Sequence, residues 1–222
     1  MLSHRLLLKS GYISQLSAGI FSFTPMGWRV ISNIKKIIDD EMKKINCFES
    51  NLPVIQPSDI WKQSGRIDSF IPPLANFQDR RDKKMIIAPT HEEAVIDLVK
   101  NYLRSFRDLP FSLYHIQTKF RDETRPRGGL LRVREFEMKD AYSFHADEKS
   151  LDETFEKFSE AYFNIFKRCG LNVVKVAADS GAIGGKVSSE FVSLSDSGED
   201  TILMCDQCSY SACLLYTSPS PR

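Results

Sequence analysis

The chain has 222 residues, a length typical of one large domain or two small ones. Its formal charge is +1, because 30 Lys and Arg residues nearly balance 29 Asp and Glu residues, so any nucleic-acid surface must be a local patch. Apolar residues make up 42 % and charged residues 27 %, which excludes wholesale disorder. No apolar run reaches the roughly 18 residues of a membrane span. The five scattered cysteines fit a reducing compartment, so we expect a cytoplasmic protein with no membrane partner.

Helical and strand patterns alternate along the chain. Thr24 and Pro25 are typical N-cap and first-turn residues, so they predict the start of an amphipathic helix that runs to about Asn46. Pro53 interrupts the strand pattern of residues 48–55 and predicts an edge strand there. Together with the elements that follow, this order predicts an α+β fold with a mainly antiparallel sheet.

The other predicted elements follow from apolar periods and turn residues. They are, in chain order, a short helix and a turn within 4–20, a strand at 20–23, a short helix and a polar loop over 58–83, a strand at 84–88, a helix from Pro89 to about Phe106, strands at 113–123 and 132–144, a helix at 151–169 ended by Gly170, and strands at 171–177 and 190–194.

The strands at 113–123 and 132–144 form a predicted hairpin around the loop 124–131. Side chains alternate between the two faces of a strand. One face is therefore predicted to carry Gln117, Lys119, Arg121, Glu123, Arg132, Arg134, Phe136, Met138, Asp140, Tyr142 and Phe144. Arginine binds phosphate or carboxylate through paired hydrogen bonds, and aromatic rings stack on bases. This face fits a ligand with a phosphate, a planar ring and an amine; the alternative is a solvated hairpin with cross-strand ion pairs.

Several segments resemble signature motifs of the class II aminoacyl-tRNA synthetases. Residues 120–140 resemble motif 2, and Pro25–Gly27 together with Asn51–Pro57 resembles motif 1, the dimer element. Pro89–Glu93 resembles the Thr-x-Glu loop of the proline branch. The stretches 117–123 and 138–145 are similar to the bacterial type of that branch in particular, and the likeness runs from about Ser3 to Ala212.

The resemblance implies ATP-dependent activation of L-proline to prolyl-adenylate, with Mg²⁺ accompanying ATP, followed by transfer to tRNA(Pro) by a homodimer joined through motif 1. Arg121 would contact the α-phosphate and the proline carboxylate and stabilise the developing charge. The other implied roles are ATP binding for Glu123, Arg132 and Phe136, proline binding for Thr90, Glu92, Met138, Asp140 and Tyr142, and contact with the tRNA acceptor end for Arg125 and Arg127.

The resemblance also implies a domain layout. Residues 1–204 would form a partial class II catalytic domain, a mainly antiparallel sheet flanked by helices, without the strand and helix of motif 3. Residues 205–212 would begin the connection to an editing insertion. Residues 213–222 lose both pattern and likeness, and we interpret them as a non-native tail. Without motif 3, such a fragment is expected to be weak or inactive alone.

Three further features have both a functional and a purely structural interpretation. His91 lacks the second histidine of a zinc-protease helix, because position 95 is Val, and it is interpreted as a polar residue at a helix start. Cys205 and Cys208 have half of a zinc-ribbon spacing, so we expect no protein-bound metal. The glycines of 181–185 lack the Rossmann spacing and form either a backbone approach beside the amino-acid pocket or an ordinary turn. The alternative function is a synthetase-like ligand-binding or regulatory module that does not aminoacylate.

Overall fold

Two compact units make up the chain, described by a computed structural model for residues 1–178, 187–195, 198, 201–208 and 210–214. The first unit covers Met1–Phe155, and the second begins at Glu156. The helices are α1 (Leu2–Lys9), α2 (Pro25–Lys44), α3 (Ser58–Gln63), α4 (Glu92–Tyr102) and α5 (Glu148–Arg168), with a 3-10 turn at Phe106–Asp108. Within these residues, no helix is both long and apolar enough to cross a membrane.

The strands form four small sheets. They are β1 (Ile13–Ser17), β2 (Ile20–Phe23), β3 (Cys47–Glu49), β4 (Ile55–Pro57), β5 (Asn76–Gln78), β6 (Lys84–Ile87), β7 (Phe111–Phe120), β8 (Glu135–Phe144), β9 (Val173–Ala178), β10 (Ser188–Ser193), β11 (Ile202–Met204) and β12 (Ser211–Cys213). Their orders are β1-β2, β3-β7-β8, β4-β6-β5 and β10-β9-β12-β11. Only β3–β7 and β9–β12 are parallel among the described pairs. The predicted α+β class with mainly antiparallel pairing is confirmed.

The start of α2 follows the predicted capping pattern. The Thr24 side chain accepts a hydrogen bond from the Gly27 backbone at 3.3 Å, and Pro25 opens the first turn. Gly27 lies directly against the preceding segment, where an added β-carbon would be 2.1 Å from the carbonyl oxygen of Tyr12. The first turn of α2 therefore tolerates no side chain at this position.

The hairpin of β7 and β8 has a different environment on each face. On one face, the Tyr114 hydroxyl donates to Asp39 of α2, and Lys35 of α2 lies 2.5 Å from the Glu137 carboxylate. The opposite face carries Asp140 and Tyr142. Helix α4 lies on that side, because its Val95 and Val99 form a buried cluster with Leu52 against which these hairpin side chains pack: Phe111, Leu113, Tyr142 and Phe144. The hairpin is thus held by helices from two sides.

The structure corrects the prediction for the N-terminal segment. The helix ends at Lys9, and Ile13–Ser17 form a strand, β1, that was predicted as helix and turn. Gly11 and Gly19 take positive φ angles of 68° and 73°, which allow the turns before and after β1. The apolar spacing of this segment was compatible with a helix, but the glycines confine helix to the first nine residues.

The prediction of one strand over residues 48–55 is also wrong. Two short strands, β3 and β4, lie on either side of Pro53 in different sheets, because proline has no N–H to continue a ladder. Both strands are edge strands, as the proline predicted. The predicted polar loop over 58–83 contains β5, which pairs with β6 through Phe77 and Met85.

Helix α4 is shorter than predicted at both ends. It begins at Glu92 rather than at Pro89, and it ends at Tyr102 rather than near Phe106. Leu103 has an extended backbone and lies outside the helix, although it was predicted within it. The residues ahead of α4 are therefore a loop, which places Thr90 and His91 outside the helix.

The second unit has its own aromatic core. The ring of Phe191 in β10 lies 5.8 Å from Tyr162, 4.9 Å from Phe163 and 6.0 Å from Phe166, all on α5. The helix ends before Gly170, whose φ of 79° fits the predicted C-terminal cap. The predicted glycine segment 181–185 and most of the predicted tail lie outside the described residues.

Candidate active site

Arg121 lies where the loop ahead of α4 meets the hairpin. Its Nε donates a 3.2 Å hydrogen bond to the carbonyl oxygen of Pro89. The guanidinium carbon is 5.4 Å from the centre of the Phe136 ring, within the range of a cation–π contact. These two contacts orient the guanidinium through Nε and one flat side, and the described residues give its two Nη groups no protein partner.

Thr90, in the loop ahead of α4, and Glu92, the first residue of α4, come together. The Thr90 hydroxyl donates to Glu92 Oε2 at 2.5 Å. This bond directs the Thr90 oxygen lone pairs away from the carboxylate. A hydroxyl acceptor beside a carboxylate is a suitable pair for an ammonium group.

Arg66 was not predicted at this site, yet it contacts both acidic residues at the start of α4. Its Nη1 lies 3.4 Å from Glu92 Oε2 and 3.0 Å from Oε1 of the buried Glu93. Its guanidinium carbon is 5.6 Å from the Trp61 ring and 5.3 Å from the Phe70 ring. No local sequence pattern links Arg66 to residues 26 and 27 positions away, so only the fold identifies it.

Glu123 and Arg132 pair with each other at the open end of the hairpin. Both Nε and Nη2 of Arg132 lie 2.9 Å from Glu123 Oε2. The hydrogen bond from Arg132 lowers the pKa of Glu123, so this carboxylate is an ionised acceptor at neutral pH. The structure thus brings two predicted ATP-binding residues together.

The predicted proline-pocket residues share one face of β8. Met138, Asp140 and Tyr142 alternate along the strand, opposite Gln117, His115 and Leu113 of β7. The Tyr142 hydroxyl donates to Asp140 Oδ2 at 2.7 Å. Burial alone would raise the pKa of Asp140, but hydrogen bonds from His115, Lys119 and Tyr142 lower it to about 2.

A fully buried lysine lies beneath this face. Lys119 Nζ is 2.8 Å from Asp140 Oδ2 and 3.1 Å from His115 Nε2, and it also contacts His91 Nδ1. The other ring nitrogen of His91 lies 3.1 Å from the carbonyl oxygen of Pro53. Burial and the neighbouring Lys119 charge lower the pKa of His91 to about 4, so its imidazole is neutral at pH 7.

The role expected of His91 is therefore only partly right. The residue stands at the N-cap position of α4, but its side chain makes no capping hydrogen bond and is fully buried. His91, His115 and Asp140 place nitrogen and oxygen atoms within 4.8 Å of one another, yet Lys119 Nζ lies among them. The ammonium group is the cation at this position, and we assign no metal to it.

Comparison with known proteins identifies the architecture. A sequence model described as the tRNA synthetase class II core domain (G, H, P, S and T) matches residues 76–213. The chain belongs to this family. The matched segment contains the Thr90–Glu92 loop, Arg121 and the whole β7–β8 hairpin.

The similar curated proteins of this class II family are bacterial proline–tRNA ligases. The chain is 54 % identical over 211 residues to the proline–tRNA ligase of Dehalococcoides mccartyi and 51 % identical over 210 residues to that of Geobacillus kaustophilus. Each alignment covers 95 % of this chain and 37 % of the relative. The chain thus spans somewhat more than a third of the length of these relatives.

Solved structures show the same fold. Prolyl-tRNA synthetase from Cryptosporidium parvum, complexed with L-proline and AMP, superposes with a TM-score of 0.73 at 19 % identity, over 84 % of this chain and 39 % of the other. The Giardia lamblia prolyl-tRNA synthetase in complex with prolyl-adenylate gives a TM-score of 0.72 at 21 % identity, over 78 % and 36 % of the two chains.

The class II hairpin loop departs from the predicted strand alternation. Pairing stops at Phe120 and Glu135, and residues 121–134 form a loop closed by reciprocal backbone hydrogen bonds between Arg127 and Arg132, at 3.0 and 3.2 Å. Arg134 was predicted on the ligand face, but it lies over the Phe120 ring and pairs with Asp122 at 2.5 Å. Its backbone N–H donates to Gly19, which ends the regular strand before it reaches Arg134.

The two arginines predicted to meet tRNA lie on this loop. Arg125 and Arg127 are both exposed, as a role in phosphate binding requires.

Cys205 and Cys208 are exposed in the second unit, and the Gln207 N–H points to Cys205 Sγ at 3.4 Å. These two thiols are remote in sequence from the candidate site.

Proposed function

We propose that this chain supplies the ATP- and proline-binding part of a bacterial-type proline–tRNA ligase. The observation that carries the proposal is the position of Arg121, which is bonded to the loop of Thr90 and Glu92 and lies over the Phe136 ring of the hairpin. One guanidinium is thereby next to both predicted ligand sites. The bacterial relatives named proline–tRNA ligase support the substrate assignment.

In the proposed reaction, a carboxylate oxygen of proline attacks the α-phosphorus of ATP, bound as its Mg²⁺ complex. An oxygen–phosphorus bond forms, the bond to the β-phosphate oxygen breaks, and pyrophosphate leaves. Negative charge accumulates on the α-phosphoryl oxygens in the transition state. Arg121 stabilises this charge with donors whose orientation is already fixed by Pro89 and Phe136, so little reorganisation is required.

Proline is recognised through its secondary ammonium group, which carries two N–H donors. Glu92 accepts one, with charge complementarity, and the Thr90 oxygen accepts the other, because its own proton is donated to Glu92. Met138, Asp140 and Tyr142 line the pocket for the ring. The proposed pocket therefore uses one element for the amine and another for the ring.

ATP is held at the open end of the hairpin. The ionised Glu123 accepts a hydrogen bond from the exocyclic amine of adenine, and Phe136 stacks on the base. Arg132, which pairs with Glu123 in this structure, turns to the outer phosphates when the nucleotide binds. Exchange of one ion pair for another makes nucleotide binding sensitive to salt.

The remaining parts of the proposal concern partners and location. Arg125 and Arg127 contact phosphates of the tRNA(Pro) acceptor end from the exposed loop.

Exposed apolar side chains on α2, among them Trp28, Val30 and Ile34, supply the contact for a homodimer through motif 1. We place the reaction in the cytoplasm. No metal other than the Mg²⁺ of ATP takes part.

The first prediction tests the shared role of Arg121. Replacing it with alanine (R121A) removes the guanidinium from both ligand sites, so we expect equilibrium dialysis to show at least about a tenfold loss of affinity for L-proline and for ATP. Arg81→Ala, on an exposed loop, is the matched control and should bind both as the unsubstituted chain does. Retention of both affinities in R121A, or failure of the unsubstituted chain to bind either ligand, would overturn the proposal.

A further inference from the structure

Lys119 differs from the other predicted basic residues of the hairpin because its whole side chain is buried. Its Nζ donates to Asp140 Oδ2 and to His91 Nδ1, and it lies 3.1 Å from His115 Nε2, the nitrogen that donates to Asp140. Burying a charge is costly unless it is paired and fully hydrogen-bonded. The geometry supplies the pairing, through the Asp140 carboxylate 2.8 Å from Lys119 Nζ.

The charges of the group balance. Asp140 carries the single negative charge in contact with Lys119, since Tyr142 is a hydroxyl donor and His91 is neutral. Burial lowers the pKa of Lys119, and the hydrogen bond to the Asp140 carboxylate opposes this change and favours the ammonium. The ammonium and the Asp140 carboxylate therefore neutralise each other beneath the pocket.

The three partners of Lys119 connect different parts of the proposed site. His91 stands between Thr90 and Glu92, which hold the proline ammonium in the proposed function. Asp140 stands between Met138 and Tyr142 on β8 and binds the Tyr142 hydroxyl. Lys119 itself is two residues before Arg121. One buried group thus contacts the amine-binding loop and the ring-binding strand from the strand that leads to Arg121.

We propose that Lys119 is a positioning residue for proline, whose ammonium group fixes the Thr90–Glu92 loop relative to the Met138–Tyr142 segment. The inference rests on the proposed function and deepens it. Lys119 does not touch the substrate. It holds His91 and Asp140 at one point, so that the acceptors for the proline nitrogen and the walls for its ring keep a constant separation.

The inference gives different expectations for the two ligands. Asp140 without its cation would be a buried, uncompensated carboxylate, and the loop and β8 would separate to relieve it. A displaced acceptor weakens the charge-assisted hydrogen bond to the proline ammonium, and such a bond is worth about 10- to 100-fold in affinity. Glu123 and Arg132, which are proposed for the exocyclic amine of adenine and the outer phosphates, lie at the other end of the hairpin and pair with each other.

The experiment is a comparison of proline and ATP affinities in the 222-residue chain by equilibrium dialysis. Lys119→Met keeps the length of the side chain and removes its charge. We expect its affinity for L-proline to fall by about 10- to 100-fold. Its affinity for ATP should stay within about threefold, because Glu123 and Arg132 share no partner with Lys119 and Phe136 is not displaced with the Thr90–Glu92 loop.

Two further variants separate positioning from folding. Lys139→Met makes the same change on the opposite face of β8 and should leave both affinities unchanged. The double variant Lys119→Met/Asp140→Asn removes both buried charges, so it leaves no unpaired charge to unfold the chain. Circular dichroism checks the fold of each variant, and the double variant is expected to show the same selective loss of proline affinity.

Each result bears on the inference. Selective loss of proline affinity in a folded variant supports it. Equal loss of both ligands, retention of proline affinity, or unfolding of both Lys119 variants while Lys139→Met stays folded would overturn it, since Lys119 would then have no role beyond stability. If the unsubstituted chain bound neither ligand, the proposed function would fail together with the inference. If the unsubstituted chain binds both ligands and the Lys119 variants lose affinity for both equally, the inference is refuted and the proposed function stands.

Discussion

Arg121 makes its protein contacts with a main-chain oxygen and with the face of a ring. Neither partner changes its charge between about pH 4 and about pH 10, so the orientation of the guanidinium is independent of pH in this range. The strand alternation placed Arg121 on the correct face, but its bond to Pro89 depends on a residue 32 positions earlier. Lys119 is a second example, because its burial depends on His91. Strand alternation predicted the face of the hairpin on which Lys119 lies, but not the residues that it contacts.

The buried His91 gives a prediction for stability against acid. Its pKa is about 4 in the fold and about 6.5 in an unfolded chain, so the unfolded state binds one more proton between these pH values. The contribution of the neutral imidazole is complete above about pH 6.5. We expect the free energy of unfolding to fall by roughly 1.4 kcal/mol per pH unit from there to about pH 4.

Urea denaturation at a series of pH values measures this slope. His91→Asn has no group that titrates in this range, so its slope should be smaller than that of the unsubstituted chain by the same amount. Replacement of a half-buried histidine, His145→Asn, is the matched control and should leave the slope in place. A histidine signal of His91 that titrates near its ordinary pKa of about 6.5 in NMR spectra would contradict the prediction.

At the level of elements, the regular hairpin was the most predictable part of the fold. From Phe136 to Phe144 the alternation gave the correct face for every residue, because β7 and β8 pair without a bulge. It failed at Arg134, where a hydrogen bond to Gly19 ends the ladder. The missed strands β1 and β5 are short and obtain their pairing from tertiary contacts, which single-segment periodicity does not contain.

Gly27 in the first turn of α2 provides a test in which two effects have opposite signs. Alanine is favoured over glycine by about 1 kcal/mol in a helix. The added β-carbon, however, would lie 2.1 Å from the backbone oxygen of Tyr12, which cannot move aside as a side chain would. We expect the contact to dominate, so Gly27→Ala lowers the free energy of unfolding by about 1–3 kcal/mol.

Chemical denaturation of Gly27→Ala and of Asn33→Ala, at an exposed position of the same helix, gives the comparison. The Asn33 variant should be as stable as the unsubstituted chain or slightly more stable, since only helix propensity acts there. A Gly27 variant as stable as the Asn33 variant would show that Tyr12 does not approach the helix.

At the scale of the whole molecule, we propose that helix α2 joins two copies of the chain. Helix α2 covers the hairpin with Asp39 and Lys35 and leaves apolar side chains exposed near its start. Val30 is 44 % exposed. The amphipathic period predicted the helix but could not tell which apolar residues pack inside the chain and which face a second copy, because both recur at the same spacing.

Val30→Lys should weaken the proposed dimer by placing a charge within an apolar contact. A loss of at least about 1.4 kcal/mol, or tenfold in the dimer dissociation constant, is expected for a central contact residue. Sedimentation equilibrium measures that constant, and Asn101→Lys introduces the same side chain at an exposed polar position of α4 as the control. Identical association by the two variants would exclude Val30 from the interface.

Two of the contacts that hold the amine-binding loop end on carbonyl oxygens of proline residues, Pro89 for Arg121 and Pro53 for His91. Every amino acid has a main-chain carbonyl oxygen, so neither hydrogen bond requires a particular side chain in the residue that accepts it. Divergence at positions 53 and 89 can therefore preserve both bonds, whereas a change of either donor abolishes one. Each of these two hydrogen bonds therefore depends on the identity of its side-chain donor, Arg121 or His91, and not on the identity of the residue that supplies the carbonyl oxygen.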